Sequence, residues 1–480
     1  MVTPFDVPYL STLRPLLKGR KTYCIEANPD TAAEIELYAR SKGIKYIITT
    51  NNIVLNKIIE SQRHQSLDNW AGSIYERAGI TYLFLNPLRQ LYSVSYGRFL
   101  ADRFISKIVQ PSLWPRTPQF SWELARIETI ERWFHLYSQT VVIAVDIETV
   151  SFENPSNGEL ETAIRCLAFT GLWNDGNIHT IVIPILDAPE KEQLFWITWM
   201  RKFLLLKIPK IFQNGLYDNA HCIGYSSPGY GYFFDTQSLF HSWYCELPKN
   251  LAFISGFTIH NVFYWKDLAK ETGRYYEYNA RDGWATLVSA MGLIKEMPNW
   301  AWTNYLLKFP IWVPCLYSNL EGIKVNEAIR DKLSKECITE FEASRNRLER
   351  WFGEGFNGNS STQVTKLIQF YGSTDITNAD EDALNKFALR HPLNARFSRE
   401  ILHLKAMATI ISKSLKPENY SISKKPSKRK SYLLRSGRFY YTLNPDGTDT
   451  TRLSSGEGYN WTGANIQNQD PRVKEMYEPD

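Results

Sequence analysis

The run VVIAVDIETV at residues 141–150 constrains this chain more than any other feature. Its apolar density demands a strand inside a sheet, where both faces are covered. Asp146 and Glu148 interrupt that run two positions apart, so on a strand both carboxylates project from one face. Two anions held together repel one another and are costly unless they share a cation or a proton. Val145, Ile147 and Val150 beside them make a surface location a poor one, with a solvated strand end as the plain alternative. The rest of the chain decides between the two.

Strands are expected next at AIRCLAFTG and HTIVIPIL, then an amphipathic helix over 190–206, a short strand at KIFQ and a helix from Gly215. GYFFD reads as a further strand, TQSLFHSWY as a helix, and residues 275–291 as a last helix. This order predicts an α/β domain over 136–300, a mixed β-sheet covered by helices. Asn214 and Asp218 lie four apart at the start of the helix after KIFQ, and Tyr278 and Asp282 repeat that spacing in YNARDGWATLV. Residues four apart share a helix face. Asp146, Glu148, Asp218 and Asp282 at one sheet edge would supply the hard oxygen ligands that two divalent cations need, open on one side to phosphate.

A chain of 480 residues can bury several cores without metals or disulfides, which excludes a peptide or a single small binding module. Residues 1–135 read as a small α/β unit without a catalytic constellation, and the prolines between 111 and 118 as a hinge. Six cysteines without a CxxC pair argue against a structural zinc site and suit a reducing, cytoplasmic compartment. No run is long enough to cross a bilayer and the first residues lack a signal-peptide pattern, so no membrane partner is expected. From Trp300 the chain turns helical: Ile329, Leu333, Cys337 and Phe341 recur every four positions in a long amphipathic segment. Helical sets follow at 364–370, 381–389 and 398–414, then a basic tract, then RFYYTLNP as a strand and an extended polar ending.

The order DIET, NGLYD and YNARD resembles the three exonuclease motifs of the DEDDy class, the 3′-5′ proofreading domain attached to family A (Pol I-type) DNA polymerases of bacteria and phages. The resemblance implies a ribonuclease H-like fold in which Asp146, Glu148 and Asp282 hold the first of two divalent ions, Mg²⁺ or Mn²⁺. It further implies that Asp146 touches the second ion, that Asp218 holds that ion through water, and that Tyr278 orients the attacking water. FFDTQSLFHSWYCELPKNLAFISG is similar to the segment between the second and third motifs, where Asp235 reads as a helix cap rather than a ligand. GIKVNEAIRDKL, FNGNSSTQVTKLIQFYG and DEDALNKFALRHP resemble the family's thumb, expected over 301–436. GTDTTRLSS, NIQNQD and VKEMYEPD resemble the stretch entering the palm, expected over 437–480, with Thr451 where the family usually has glycine.

Between residues 413 and 438 nine side chains are basic and only Glu418 is acidic, a distribution suited to a phosphate backbone. Lys424, Lys425, Lys428, Arg429 and Lys430 in that tract are expected to clamp a duplex by shape and charge, a solvated loop being the alternative. Arg452, Asn465, Gln467 and Asn468 carry donors and acceptors suited to the DNA backbone and minor-groove edges, and the resemblance implies primer-template contacts for them. The expected partners are a DNA primer-template and a single-stranded 3′ end at the acidic site, where Asn214 stands beside the substrate. The sequence ends ahead of the palm aspartates, so nucleotide addition is expected to require palm and fingers from a longer protein or a second polypeptide. Two other readings are a free-standing DEDDy exonuclease acting on RNA or DNA, and a non-catalytic DNA-binding subunit of a replication complex.

Overall fold

The computed structural model describes residues 32–60, 64–87, 90–156, 160–271, 273–415, 420, 422, 434–435, 437–459 and 463–479. The chain divides into two compact units, one comprising Met1–Ser151, Thr162–Trp312 and Pro445–Arg452, the other Phe152–Glu161, Val313–Asn444 and Leu453–Asp480. The fold is mixed α/β.

Among the described residues, the first unit opens with α1 (Ala32–Ser41), β1 (Tyr46–Thr49), α2 (Asn52–Ile59), β2 (Ile74–Arg77), β3 (Ile80–Phe84) and α3 (Gly97–Val109). The strands form a sheet in the order β1-β3-β2, with β1 parallel and β2 antiparallel to β3. Phe104 and Ile105 of α3 share a core with Phe240, Phe257, Leu293 and Tyr305. Lys107 of α3 is buried and spends its ammonium on the carbonyls of Gly72 and Ile259, 2.6 Å from each. An ammonium in such a place is tolerable only because both oxygens are aimed at it.

The large sheet of this unit contains β4 (Trp122–Leu124), β5 (Val142–Glu153), β6 (Leu160–Leu172), β7 (Ile178–Pro184), β8 (Lys210–Phe212) and β9 (Tyr232–Asp235), the last two residues of β5 and the first two of β6 being assigned to the other unit. Its strand order is β4-β7-β6-β5-β8-β9. β5, β8 and β9 run parallel, β4 runs parallel to β7, and β6 is antiparallel to β7. Helices α4 (Ile130–Tyr137), α5 (Glu190–Leu204), α6 (Gly215–Gly224), α7 (Thr236–Trp243), α8 (Leu251–Thr258), α9 (Tyr275–Glu296) and α10 (Asn299–Lys308) surround it.

The two faces of β5 enter different cores. Ile143, Val145 and Ile147 pack with Tyr137, Trp199 and Phe203, whereas Ala144 packs with Ala285, Leu287 and Val288 of α9. Both faces of β5 are thus covered along its first half, which explains its unbroken apolar run. Asp146 and Glu148 continue the Ala144 face and so project on the side where α9 lies.

The second unit is built on α11 (Trp312–Glu321), whose first residue belongs to the other unit, β10 (Ile323–Val325), α12 (Glu327–Phe352), α13 (Ser361–Phe370), α14 (Glu381–Arg390) and α15 (Ala395–Thr409). A π-helical turn, Ile410–Leu415, extends α15. Leu333, Cys337, Phe341 and Leu348 of α12 enter the core with Leu384, Phe387, Ile401 and Leu404. Ile329 does not: it is 37% exposed. A four-residue repeat over-rotates an α-helix by about 40° per step, which carries the first member of the series off the buried face.

RFYYTLNP forms two strands rather than one, β12 (Arg438–Phe439) and β13 (Tyr441–Asn444). β12 joins β11 (Leu434–Arg435), β10 and β15 (Tyr477–Glu478) in an antiparallel sheet, and β13 pairs with β14 (Ser454–Glu457). The polar ending is not purely extended loop: α16 (Pro471–Lys474) interrupts it, and Val473 and Met476 are fully buried in the core of this unit. Two well-placed apolar side chains, with capping by Asp470, suffice to anchor a segment whose other side chains are polar.

Candidate active site

β5, α6 and α9 bring the sequence motifs together. Carboxylate oxygens of Asp146, Glu148 and Asp282 all lie within 4.8 Å of one another, with Asp282 buried and the other two half-buried. Asp218 is not in that triad. It is buried on α6, and its Oδ1 accepts the backbone N–H of Ile147 at 3.1 Å, which ties it to β5 between the two strand acids.

The motif on α6 depends on its glycine. A Cβ at Gly215 would stand 2.6 Å from Cβ of Phe212 and 2.7 Å from the Tyr232 hydroxyl, so only glycine lets α6 start this close to β8. Asn214 precedes it at φ 59°, a left-handed conformation that asparagine tolerates better than most residues, and its side chain does not cap the helix. Asp235 performs that kind of work nearby. It caps α7 by accepting from Ser238 N–H at 3.1 Å, and its other oxygen accepts from Gly215 N–H and the Tyr232 hydroxyl.

Each acid of the triad has its own supporting donor. Asn279, buried on α9, donates to Asp146 Oδ2 at 2.8 Å, and the Tyr275 hydroxyl donates to Glu148 Oε2 at 3.2 Å. Asp282 Oδ1 accepts from Trp265 Nε1 at 2.7 Å, and both of its oxygens accept from Lys266 Nζ at 2.7 Å. Tyr278 lies one turn before Asp282, its hydroxyl 3.5 Å from the same ammonium.

Burial, followed by the charges of Asp282 and Glu148, pushes the Asp146 carboxyl well above its ordinary range. Glu148 is pushed up to about 8 by burial and by the charge of Asp282. Asp218 is raised mainly by burial. The Tyr278 phenol is raised far above its ordinary value, first by burial and then by Asp282, so it remains a hydroxyl at neutral pH. Asp146, Glu148 and Asp218 resist ionisation first because they are buried and then because other carboxylates stand near them. The site suits a hard divalent cation: the donors of Asp146, Glu148 and Asp282 are oxygens, they converge, and their outer partners fix their orientation. Lys266, Asn279, Tyr275 and Trp265 were not legible as site residues. Only Tyr275 and Asn279 carried a signal, since with Asp282 they share one face of α9 at positions i, i+4 and i+7.

Among the residues expected to touch DNA, Lys424, Lys425, Lys428, Arg429 and Lys430 lie outside the described residues. Arg452 is exposed at the end of the segment Pro445–Arg452, which belongs to the first unit. That segment is fixed from inside: Asp446 pairs with the Lys308 ammonium, Lys308 donates to His241 Nδ1 at 2.8 Å, and His241 Nε2 therefore donates to the Thr448 carbonyl at 2.9 Å. Thr451 in it adopts φ 61°, a strained conformation for a β-branched residue. In the second unit, Asn465 Oδ1 accepts from the N–H groups of Gln467 and Asn468, and Gln467 Nε2 donates to the Leu453 carbonyl at 2.9 Å. Asn465 and Gln467 thus order their own loop, while Asn468 is exposed.

No family model matches the chain, and no curated protein matches it. Among solved structures, the POL domain of Pol1 from M. smegmatis, in complex with DNA primer-template and dNTP, is similar in fold: TM-score 0.50 at 14% sequence identity, over 74% of this chain and 57% of that one. The chain therefore spans little more than half the length of that structure. At this identity the likeness concerns the fold alone, a DNA polymerase-like one. Among the described residues, no helix is long and apolar enough to cross a membrane.

Proposed function

We propose that this chain is the 3′-5′ proofreading exonuclease and DNA-holding portion of a family A DNA polymerase, removing deoxynucleotides from a 3′ end by metal-assisted hydrolysis. The convergence of Asp146, Glu148 and Asp282 within 4.8 Å carries the reading. The strand order β7-β6-β5-β8-β9 with β6 reversed against β7 supports a ribonuclease H-like nuclease, and the fold likeness to a DNA polymerase domain supports the wider setting. In this reading residues 136–300 are the nuclease, 301–436 a thumb, 437–480 the beginning of a palm and 1–135 an accessory domain.

Bound Mg²⁺ or Mn²⁺ would supply Lewis acidity to the scissile phosphate and acidify water. The chain's own residues do the rest. Asp146, Glu148 and Asp282 would hold the cations, with Asp146 oriented by Asn279 and Glu148 by Tyr275. Asp218, fixed on the Ile147 N–H, supplies an outer carboxylate. Tyr278 remains a neutral phenol and so orients water by a hydrogen bond rather than by removing its proton. Arg452, Asn468 and the basic tract at 424–430 are proposed to meet the DNA backbone. The test is digestion of a 3′ mismatched primer by wild type and by the double variant Asp146→Ala, Glu148→Ala. The variant should keep its circular dichroism spectrum and lose cleavage; cleavage at the wild-type rate would remove the assignment.

A further inference from the structure

Lys266 lies outside every motif of the site, in the 3₁₀ turn Lys266–Lys270, yet it makes the shortest ionic contact there. Its Nζ stands 2.7 Å from both oxygens of Asp282 and 5.1 Å from the centre of the Tyr278 ring. The Asp282 side chain is 3% exposed, whereas that of Lys266 is 28% exposed. The ammonium therefore occupies both acceptor atoms of the buried acid while its stem retains a route to solvent. A divalent ion shared by Asp146, Glu148 and Asp282 would need lone pairs of the same carboxylate, and it would repel the ammonium across a few ångströms.

We infer that Lys266 is a built-in competitor of the divalent cation, an internal positive charge that keeps the acidic cluster assembled in the metal-free chain and leaves Asp282 when the ion enters. The inference rests on the metal-dependent reading above and adds a positioning residue to it. Lys266 sets how tightly the metal binds and how stable the protein is without it, and the two effects have opposite signs. Without Lys266 the carboxylates lose their compensating charge when no metal is present, because a buried acid stripped of its partner is costly. With metal present, the same loss removes a competitor and a repelling charge.

The experiment is calorimetric titration of the full chain with Mn²⁺ at neutral pH, paired with thermal denaturation in EDTA and in saturating Mn²⁺, for wild type, Lys266→Gln and Lys266→Arg. K266Q should bind Mn²⁺ at least about tenfold more tightly, the lower end of the scale on which outer partners of ligating carboxylates act. It should melt below wild type in EDTA and regain the wild-type Tm in Mn²⁺. K266R retains the charge, so it should fold without metal and bind Mn²⁺ less tightly than K266Q. A purely structural role for Lys266 would lower Tm equally with and without metal and leave the affinity unchanged. That result, or a K266R affinity as high as that of K266Q, would overturn the inference while leaving the nuclease reading in place. A wild-type chain that binds no Mn²⁺ would overturn both.

Discussion

Removing the Asp446 carboxylate should loosen the segment Pro445–Arg452 from inside. The Asp446 side chain is fully buried and the side chain of its partner Lys308 is only 12% exposed. His241, with its side chain fully buried, accepts from Lys308 and donates to Thr448, so three residues far apart in sequence depend on one charge pair. Asp446→Ala leaves an ammonium facing a neutral imidazole whose own protonation is disfavoured by burial and by Lys308. Stripping one partner from a buried pair costs about 3–5 kcal/mol, and for a unit this large each kcal/mol moves the midpoint by roughly 2–4 °C. The expected drop in Tm is therefore roughly 6–20 °C. Lys308→Met leaves the fully buried Asp446 carboxylate without its cation and should cost a comparable amount, and the double variant should cost clearly less than the sum of the two single changes. Thermal denaturation of the four proteins reads the cycle. A shift below about 2 °C for Asp446→Ala, or strict additivity, would refute the idea that this pair anchors the segment.

Tyr278→Phe should lower cleavage of a 3′ end by about a hundredfold, the lower end of the range for a positioned proton-bearing group, while Mn²⁺ affinity measured by calorimetry stays the same. The acidic cluster also fixes a pH dependence. Glu148 sits near 4.5 in the unfolded chain and about 8 in the folded one, so the folded state holds the proton more tightly. Metal-free stability should then be full below pH 4.5 as far as this group is concerned and fall as pH rises towards about 8, the sign expected where the native state binds more protons. Tm in EDTA across that window should decline more steeply for wild type than for Glu148→Gln; parallel profiles would contradict the assignment.

Much of the site was legible because local pattern and tertiary role coincide. The apolar run around Asp146 and Glu148 announces a covered strand, and Asp218 and Asp282 sit at fixed helical offsets from Asn214 and Tyr278. Lys266 had no such signal: it lies in a short 3₁₀ turn without periodicity, and only the packing of that turn against α9 brings it to Asp282. The same holds for Asp446, Lys308 and His241, which are joined across more than sixty positions of sequence and obey no local rule. At the end of the chain, polar composition concealed Val473 and Met476, because two buried side chains leave almost no trace in an average. The break of RFYYTLNP into β12 and β13 was equally hidden, since each strand finds a different partner.

Asp146, Glu148 and Asp282 are proposed to form a cation site at a DNA 3′ end. Anomalous diffraction from crystals of the chain grown with Mn²⁺ and a short single-stranded deoxyoligonucleotide tests it most directly. An anomalous peak is expected within coordinating distance of carboxylate oxygens of Asp146 and Asp282, with the 3′-terminal phosphate beside it. Full occupancy of the oligonucleotide with no anomalous peak at these acids, or a peak held by other residues, would contradict it.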